Sequence, residues 1–471
     1  MKRIGLLGML LLIFQGKINA QDFTDVTGNL PQLQMSIIAW GDYDGDGDLD
    51  LYLSGQDSNY NQTGKLYRND NGTLTEVTGT GLPALTLGKA VWADFNEDGK
   101  KDLALTGYDG TTGKVDIYFN NGDGTFTAGN AGFVQVYMGD IQAVDINNDG
   151  HIDIGLTGTD VNNSADVTKI YLNDGSGNFT EMNITLPAIN TGHMPFADYD
   201  GDGYKDFILN GWNDQTNLPY TKIWHNDNGT GFTETNIPFF QSWLGDIAWG
   251  DINDDGHPDL VITGTGGQNG DERRTSLHIN NGDGTFTTVA NTPFPGMSNS
   301  SVEIADFNND GKKDIYLMGD ADINGQLHVY SRFFMQDDSG NFSQSGSFYP
   351  LPVDYGDAKA VDYDNDGDID LIISGSDDAS HPKTRLYKNS AIAGIHHQPE
   401  IAFSVFPNPA HKTIMINMPE GNHNVHIISL TGQNILSRKC QTGSLRLDIS
   451  GIQRGIYLIN VDGSVKKLVI E

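Results

Sequence analysis

Short apolar stretches recur along this chain at a near-constant interval, and each pair of them brackets a run of acidic residues and glycine. Ile37-Ile38-Ala39-Trp40 precedes one run and Leu49 to Leu53 closes it; Ile247-Ala248-Trp249 and Leu260-Val261-Ile262 bracket another. Apolar runs this short, bounded by turn residues, predict strands. The bracketed phrase begins seven times, at Asp42, Asp94, Asp145, Asp198, Asp251, Asp306 and Asp362, with spacings of 52, 51, 53, 53, 55 and 56 residues. A glycine follows 13 positions after each of these aspartates, at Gly55, Gly107, Gly158, Gly211, Gly264, Gly319 and Gly375. A variable polar loop comes next, then two more strands around a turn, as in Ile117 to Phe126, where Asn-Gly and Asp-Gly are hairpin signals. Each repeat therefore predicts four strands, A to D, with the acidic run joining A to B. Four-stranded units repeated four to eight times build a β-propeller. The expected fold class is all-β, with a seven-bladed β-propeller over residues 21–390.

The two ends of the repeat region fit a closed ring. The seventh copy stops after its third strand, Arg385-Leu386-Tyr387, and Phe23-Thr24-Asp25-Val26 reads like the fourth strands Phe179 to Met182 and Leu74 to Val77. The N-terminal segment is expected to complete the last blade, which leaves no open sheet edge. Ahead of it, Lys2, Arg3, the 11-residue apolar run Ile4 to Phe14 and Ile18-Asn19-Ala20 predict a signal peptide over residues 1–20. That run is too short to cross a bilayer as a helix, and no transmembrane segment is expected in the mature chain.

Charge and cysteine content narrow the chemistry. The formal net charge of −34 lacks the basic footprint of a nucleic-acid binder, so nucleic acid is not an expected partner. Cys440 is the only cysteine, so no internal disulfide can form and an exported chain needs another stabiliser. The acidic runs offer one. They follow D-x-[DN]-x-D-G-x-x-D, in which oxygen-bearing side chains at the first, third, fifth and ninth positions can converge, joined by the seventh carbonyl. The candidate metal ligands are Asp42, Asp44, Asp46 and Asp50; Asp94, Asn96, Asp98 and Asp102; Asp145, Asn147, Asp149 and Asp153; Asp198, Asp200, Asp202 and Asp206; Asp251, Asn253, Asp255 and Asp259; Asp306, Asn308, Asp310 and Asp314; and Asp362, Asp364, Asp366 and Asp370. Calcium takes six to eight such oxygens, so up to seven Ca2+ ions are expected; magnesium, which retains waters, suits these cages less well. Glycine at the sixth position permits the bend. Carboxylates about 4 Å apart repel by roughly 4 kcal/mol per pair at an effective dielectric near 20, which a divalent cation reverses. An EF-hand is excluded, because its twelfth-position glutamate is replaced by Leu53, Leu105, Leu156, Leu209, Ile262, Leu317 and Ile373.

With these motifs in view, the repeats resemble FG-GAP or VCBS repeats, the integrin-α-type propeller. Met138-Gly139, Leu244-Gly245 and Tyr355-Gly356 echo the Phe-Gly element, and the glycine closing strand B echoes the second element, without the Ala-Pro that follows it in the family name. The resemblance implies adhesion, ligand binding or attachment to an enzyme. After a linker at 391–402, residues 403–471 carry Phe403-Ser-Val-Phe-Pro-Asn-Pro409, Gly455-Ile-Tyr457 and a basic end at Lys466-Lys467. They resemble the type A sorting domain of type IX secretion in Gram-negative bacteria. That implies a small C-terminal β-sandwich, recognition by outer-membrane secretion machinery, and a secreted or cell-surface destination.

The expected function is an exported, calcium-binding adhesion or binding module for glycan or protein ligands. The ligand face is the one shared by the B–C loops, with Tyr60, Tyr108, Trp212 and Tyr220, and the D–A loops, with Tyr137, Trp243, Phe294 and Tyr355. The alternative is a polysaccharide lyase or hydrolase acting at the central channel. There the residues five before each first aspartate, Ile37, Lys89, Asp140, His193, Asp246, Ser301 and Asp357, are expected to ring the mouth. No catalytic residue is assigned, and a structural surface protein without a small ligand is the third reading.

Overall fold

The computed structural model describes residues 23–390 and 403–470, apart from 163, 268–271, 324, 420–422, 430–433, 441–442, 453 and 462–463. The predicted signal peptide and the linker lie outside the described residues. The chain divides into two compact units between Gly394 and Ile395. No helix occurs among the described residues.

The first unit contains seven blades of antiparallel strands, each running A to D outward from the first strand of its repeat. In blade 1 these are Gln34–Gly41, Asp50–Gln56, Gln62–Asp70 and Thr73–Val77. Blades 5 and 6 are joined in one sheet by the pair Arg274 and Met297. Strand B reads as a nearly continuous apolar run because both of its faces are covered. Leu51, Tyr52 and Leu53 are fully buried, as are Leu260 and Val261. The cores lie between blades. Ile37, Tyr52 and Leu66 of blade 1 pack with Leu85, Leu103 and Phe126 of blade 2. Leu33, Ile38 and Leu51 of blade 1 pack on its other side with Tyr363, Ile372 and Leu386 of blade 7, so the first and last blades touch.

Closure occurs as the strand texts imply. Phe23–Asp25 pairs antiparallel with Pro382–Asn389, Phe23 opposite Asn389 and Asp25 opposite Tyr387. Phe23 is buried and stacks on Phe333 of blade 6, centroids 4.9 Å apart. Deleting Gln21 to Val26 removes this ladder and a buried phenyl group. Loss of the ring alone costs about 3–5 kcal/mol, and the freed edge of Pro382–Asn389 becomes a pairing surface. Urea denaturation is expected to show a destabilised, aggregation-prone variant; an unchanged midpoint would show that this strand does not hold the ring closed.

The second unit is a two-sheet β-sandwich. One sheet holds Ser404–Phe406, Thr413–Asn417 and Ser444–Asp448; the other holds Asn434–Cys440, His423–Ser429, Gly455–Val461 and Ser464–Ile470. Ile414, Ile416, Val425, Ile427, Ile459 and Leu468 form its own core.

Candidate metal loops and ligand face

The acidic loops lie at the end of strand A, and one hydrogen-bond scheme repeats in all of them. The sixth-position glycine adopts a left-handed backbone, φ 97° at Gly47 and 91° at Gly367, and its N–H donates to the first aspartate, 3.0 Å from Asp42 Oδ2 and from Asp362 Oδ2. The fourth residue is also left-handed in the five loops where it is not glycine: Glu97, Asn148, Asp254, Asn309 and Asn365. These turns bring ligands together. Asp42, Asp44 and Asp50 each place a carboxylate oxygen within 4.8 Å of the others', as do Asp362, Asp364 and Asp370. Blade 4 forms two overlapping trios, Asp198 with Asp200 and Asp202, and Asp200 with Asp206 and His225. Asp46 and Asp366 stand outside the trios of their loops. In blades 2, 3, 5 and 6 the third ligand is an amide, and Asn147 and Asn253 each donate to the fifth aspartate at 2.9 Å.

The ninth aspartates are fully buried, and each is held by two backbone N–H groups. Asp50 accepts from Tyr43 of its own loop at 2.9 Å and from Asn69 on strand C at 2.8 Å. Burial raises their pKa against these hydrogen bonds, to about 7 at Asp50 and Asp370 and about 8 at Asp314. A bound cation acts in the opposite sense and favours the ionised carboxylate.

Sequence reasoning missed the residue that ties this scheme into a ring. The strand-C residue that donates its N–H to the ninth aspartate is Asn69, Asn120, Asn173, Asn226, Asn280, Gln336 or Asn389. Its side-chain amide donates in turn to the second-position carbonyl of the preceding blade's loop. Asn120 reaches Tyr43 at 2.7 Å, Asn226 reaches Ile146 at 2.8 Å, and Asn69 reaches Tyr363 at 2.6 Å across the closure. Every loop is thereby latched to the next. The signal was present as the asparagine, or in blade 6 the glutamine, opening each C–D turn, but variable B–C loops shift its offset from the first aspartate.

A second ring stands at the opposite end of strand A. Seven residues before each first aspartate, Met35, Leu87, Met138, Thr191, Leu244, Asn299 and Tyr355 have φ between 44° and 54°. Their backbones link successive blades, as in Leu87 N–H to Met35 O at 3.1 Å and Met138 N–H to Leu87 O at 2.9 Å. The next residue is usually glycine for a steric reason: a Cβ on Gly139 would lie 1.8 Å from Thr157 O, and one on Gly356 1.7 Å from Ser374 O. These side chains surround a cavity of about 220 Å³ at the channel mouth.

Of the residues expected at that mouth, Lys89 and His193 line this cavity, and most of the seven are engaged. Ile37 belongs to the core. Asp140 accepts the N–H of Met194 at 2.8 Å, and Asp246 that of Val302 at 3.0 Å, each in the next blade. Lys89 pairs with Asp357 at 2.9 Å, Lys359 with Glu303 at 3.2 Å, and His193 lies 3.4 Å from Asp246. Burial acts to raise the Asp357 carboxyl, but Lys359 and Lys89 outweigh it and hold it below the usual range. Of the aromatics, Phe294 packs on Phe334, whereas Tyr60 is 75% and Tyr355 50% exposed. Tyr108 with Tyr137, and Trp212 with Trp243, form half-buried pairs at 5.8 and 5.0 Å.

Residues 42–105, 94–156, 145–209, 198–262 and 251–317 each match the FG-GAP-like repeat, and together they span the first six acidic loops. The chain belongs to the FG-GAP-like repeat family. In this FG-GAP protein the matches run from one acidic loop to the next. Residues 404–471 match the secretion-system C-terminal sorting domain. The FG-GAP propeller is therefore a type IX secretion cargo, destined for the cell surface or the medium. No curated protein matches the chain. Among solved structures it is similar to PorZ, a surface component of the type IX secretion system of Porphyromonas gingivalis, at 12% identity and a TM-score of 0.44, covering 95% of this chain and 61% of that one. It is also similar to the six-bladed Aleuria aurantia lectin, at 14% identity and TM-score 0.39, covering 67% and 97%. A third likeness is an exo-β-1,3-galactanase of Phanerochaete chrysosporium, at 10% identity and TM-score 0.31, covering 71% and 96%.

Proposed function

We propose that the protein is a calcium-loaded binding module of the cell surface, which presents a glycan or protein ligand site on the face away from its acidic loops. The observation that carries this reading is the unlike chemistry at the two ends of strand A. One end gathers oxygen ligands in clusters within 4.8 Å, and the Asp364 side chain there is 8% exposed with an Oδ1 that has no hydrogen-bond partner. An all-oxygen donor set of this kind suits a hard cation such as calcium. The other end offers a cavity lined by Met35, Leu87, Met138, Leu244 and Tyr355, with Tyr355 half exposed. Aromatic faces beside polar loops fit sugar rings and protein surfaces alike. The channel carboxylates are committed to ion pairs and to the next blade's backbone, which fits a role in holding the ring together.

A glycan array and a lyase or hydrolase assay on the mature chain, with calcium present, test this reading. Binding without turnover is expected, and replacing Tyr60 and Tyr355 by alanine should weaken it about tenfold or more, roughly 1.4 kcal/mol, with no change in melting temperature. Undiminished binding by that variant would remove this face as the ligand site, and turnover would favour the enzymatic reading.

A further inference from the structure

The seven loops differ at one ligand, and the difference is matched on a neighbouring strand. The third position is aspartate in blades 1, 4 and 7, and asparagine in blades 2, 3, 5 and 6. The strand-C residue just before the latching amide is Arg68, His225 or Lys388 in the first group. It is Phe119, Leu172, Ile279 or Met335 in the second. The partition has no exception. The asparagine loops carry their basic side chain at the seventh position instead: Lys100, His151, His257 and Lys312.

The two placements are not equivalent. Lys388 Nζ is bonded to Asp364 and lies 3.1 Å from Asp366 Oδ2, inside the ligand set of its loop. His225 Nδ1 stands 3.2 Å from both Asp200 Oδ2 and Asp206 Oδ1. Arg68 lines the same cleft as Asp42 and Asp44 and is bound to Asp70 at 2.8 Å. In blade 6 the same neighbours meet without charge, Asn308 Nδ2 at 3.6 Å from Met335 Sδ. The seventh-position cations approach from elsewhere. Lys100 pairs with the fifth-position ligand Asp98, at 2.7 Å, and not with the third- or ninth-position ligand, and His151 is bonded to Glu97 of the preceding blade.

We propose that blades 1, 4 and 7 are side-chain-gated cation sites, in which His225 and Lys388 occupy the carboxylate cluster and Arg68 borders it, and a divalent cation enters by displacing them. This rests on the calcium reading above. In these loops a fourth carboxylate adds attraction for the ion, and the strand-C basic side chain competes with the ion for the cluster. The basic residue thus sets the affinity of its loop and holds the loop together when no ion is bound.

Calcium titration of the mature chain by isothermal calorimetry, at one fixed pH, tests the gate. The variant Arg68→Met/His225→Leu/Lys388→Met is expected to tighten three sites by at least about tenfold and leave the others unchanged. Lys100→Met/Lys312→Met releases, of the ligands, the fifth-position carboxylate alone in two loops and should shift affinity by less than about threefold. If the triple variant fails to fold, Lys388→Met alone should tighten one site, and the reciprocal Leu172→Lys should weaken one. A triple variant whose isotherm superimposes on the wild type, or a control that shifts as far, overturns gating while calcium binding stands. A wild-type chain that takes up no calcium overturns the calcium reading and the gate together.

Discussion

Stripping divalent cations from the mature protein is expected to lower the melting temperature of its propeller by on the order of 20 °C, and calcium is expected to restore it. Calcium at about 100 times its dissociation constant contributes roughly 2.7 kcal/mol per independent site. For a cooperative unit of this size each such increment is worth roughly 3–4 °C. The effect should be global because the loops are not isolated. Asp50 holds Asn69, and Asn69 holds the carbonyl of Tyr363 in blade 7, so a loop that splays apart also releases its neighbour. Differential scanning calorimetry in EDTA, in calcium and in magnesium reads this directly. Calcium should stabilise most, because magnesium prefers to keep its waters. Equal midpoints in calcium and EDTA would show that the acidic turns hold themselves through hydrogen bonds such as Gly47 N–H to Asp42.

Features whose physics depends on side-chain identity at a fixed offset were legible in the sequence. The aspartate period defines the blades, since ligand positions and the sixth glycine permit little variation. The closing strand was legible because Phe23 must fill the same pocket as the phenylalanines that begin other D strands. The ring at the channel mouth was half legible. Its backbone hydrogen bonds need a left-handed residue followed by a small one, and Met35, Thr191 and Asn299 meet that need with unrelated side chains. The readable mark is the glycine that follows in five of the seven, Gly88, Gly139, Gly192, Gly245 and Gly356. Trp212 and Trp243 illustrate a further limit: Trp212 lies on the end of strand B, not in the B–C loop where it was expected, and it pairs with the segment leading into the next blade, which spacing within one repeat cannot reveal. Spacing also does not reveal that strand A is bulged or split around its left-handed residue. In blade 7 the register shifts between Asp354 and Asp357.

Removing residues 403–471 is expected to abolish surface delivery while leaving the propeller folded. The two units have separate cores: Ile414, Ile416, Val425 and Ile459 pack with one another, and no residue of the propeller shares their cluster. The ring closes through Phe23 and Pro382–Asn389, upstream of the truncation. The truncated chain should therefore melt at the same temperature as the propeller in the mature chain and keep its response to calcium. The sorting domain spans residues 404–471, so the truncation takes away the whole recognition element. With the predicted signal peptide at 1–20 intact, the chain should still cross the inner membrane and accumulate in the periplasm. Cell fractionation combined with surface proteolysis separates the outcomes. Protease-accessible propeller on cells that express the truncated chain would mean that delivery does not depend on the sandwich. A periplasmic chain that has lost its calcium-dependent melting would instead mean that the sandwich supports the propeller fold.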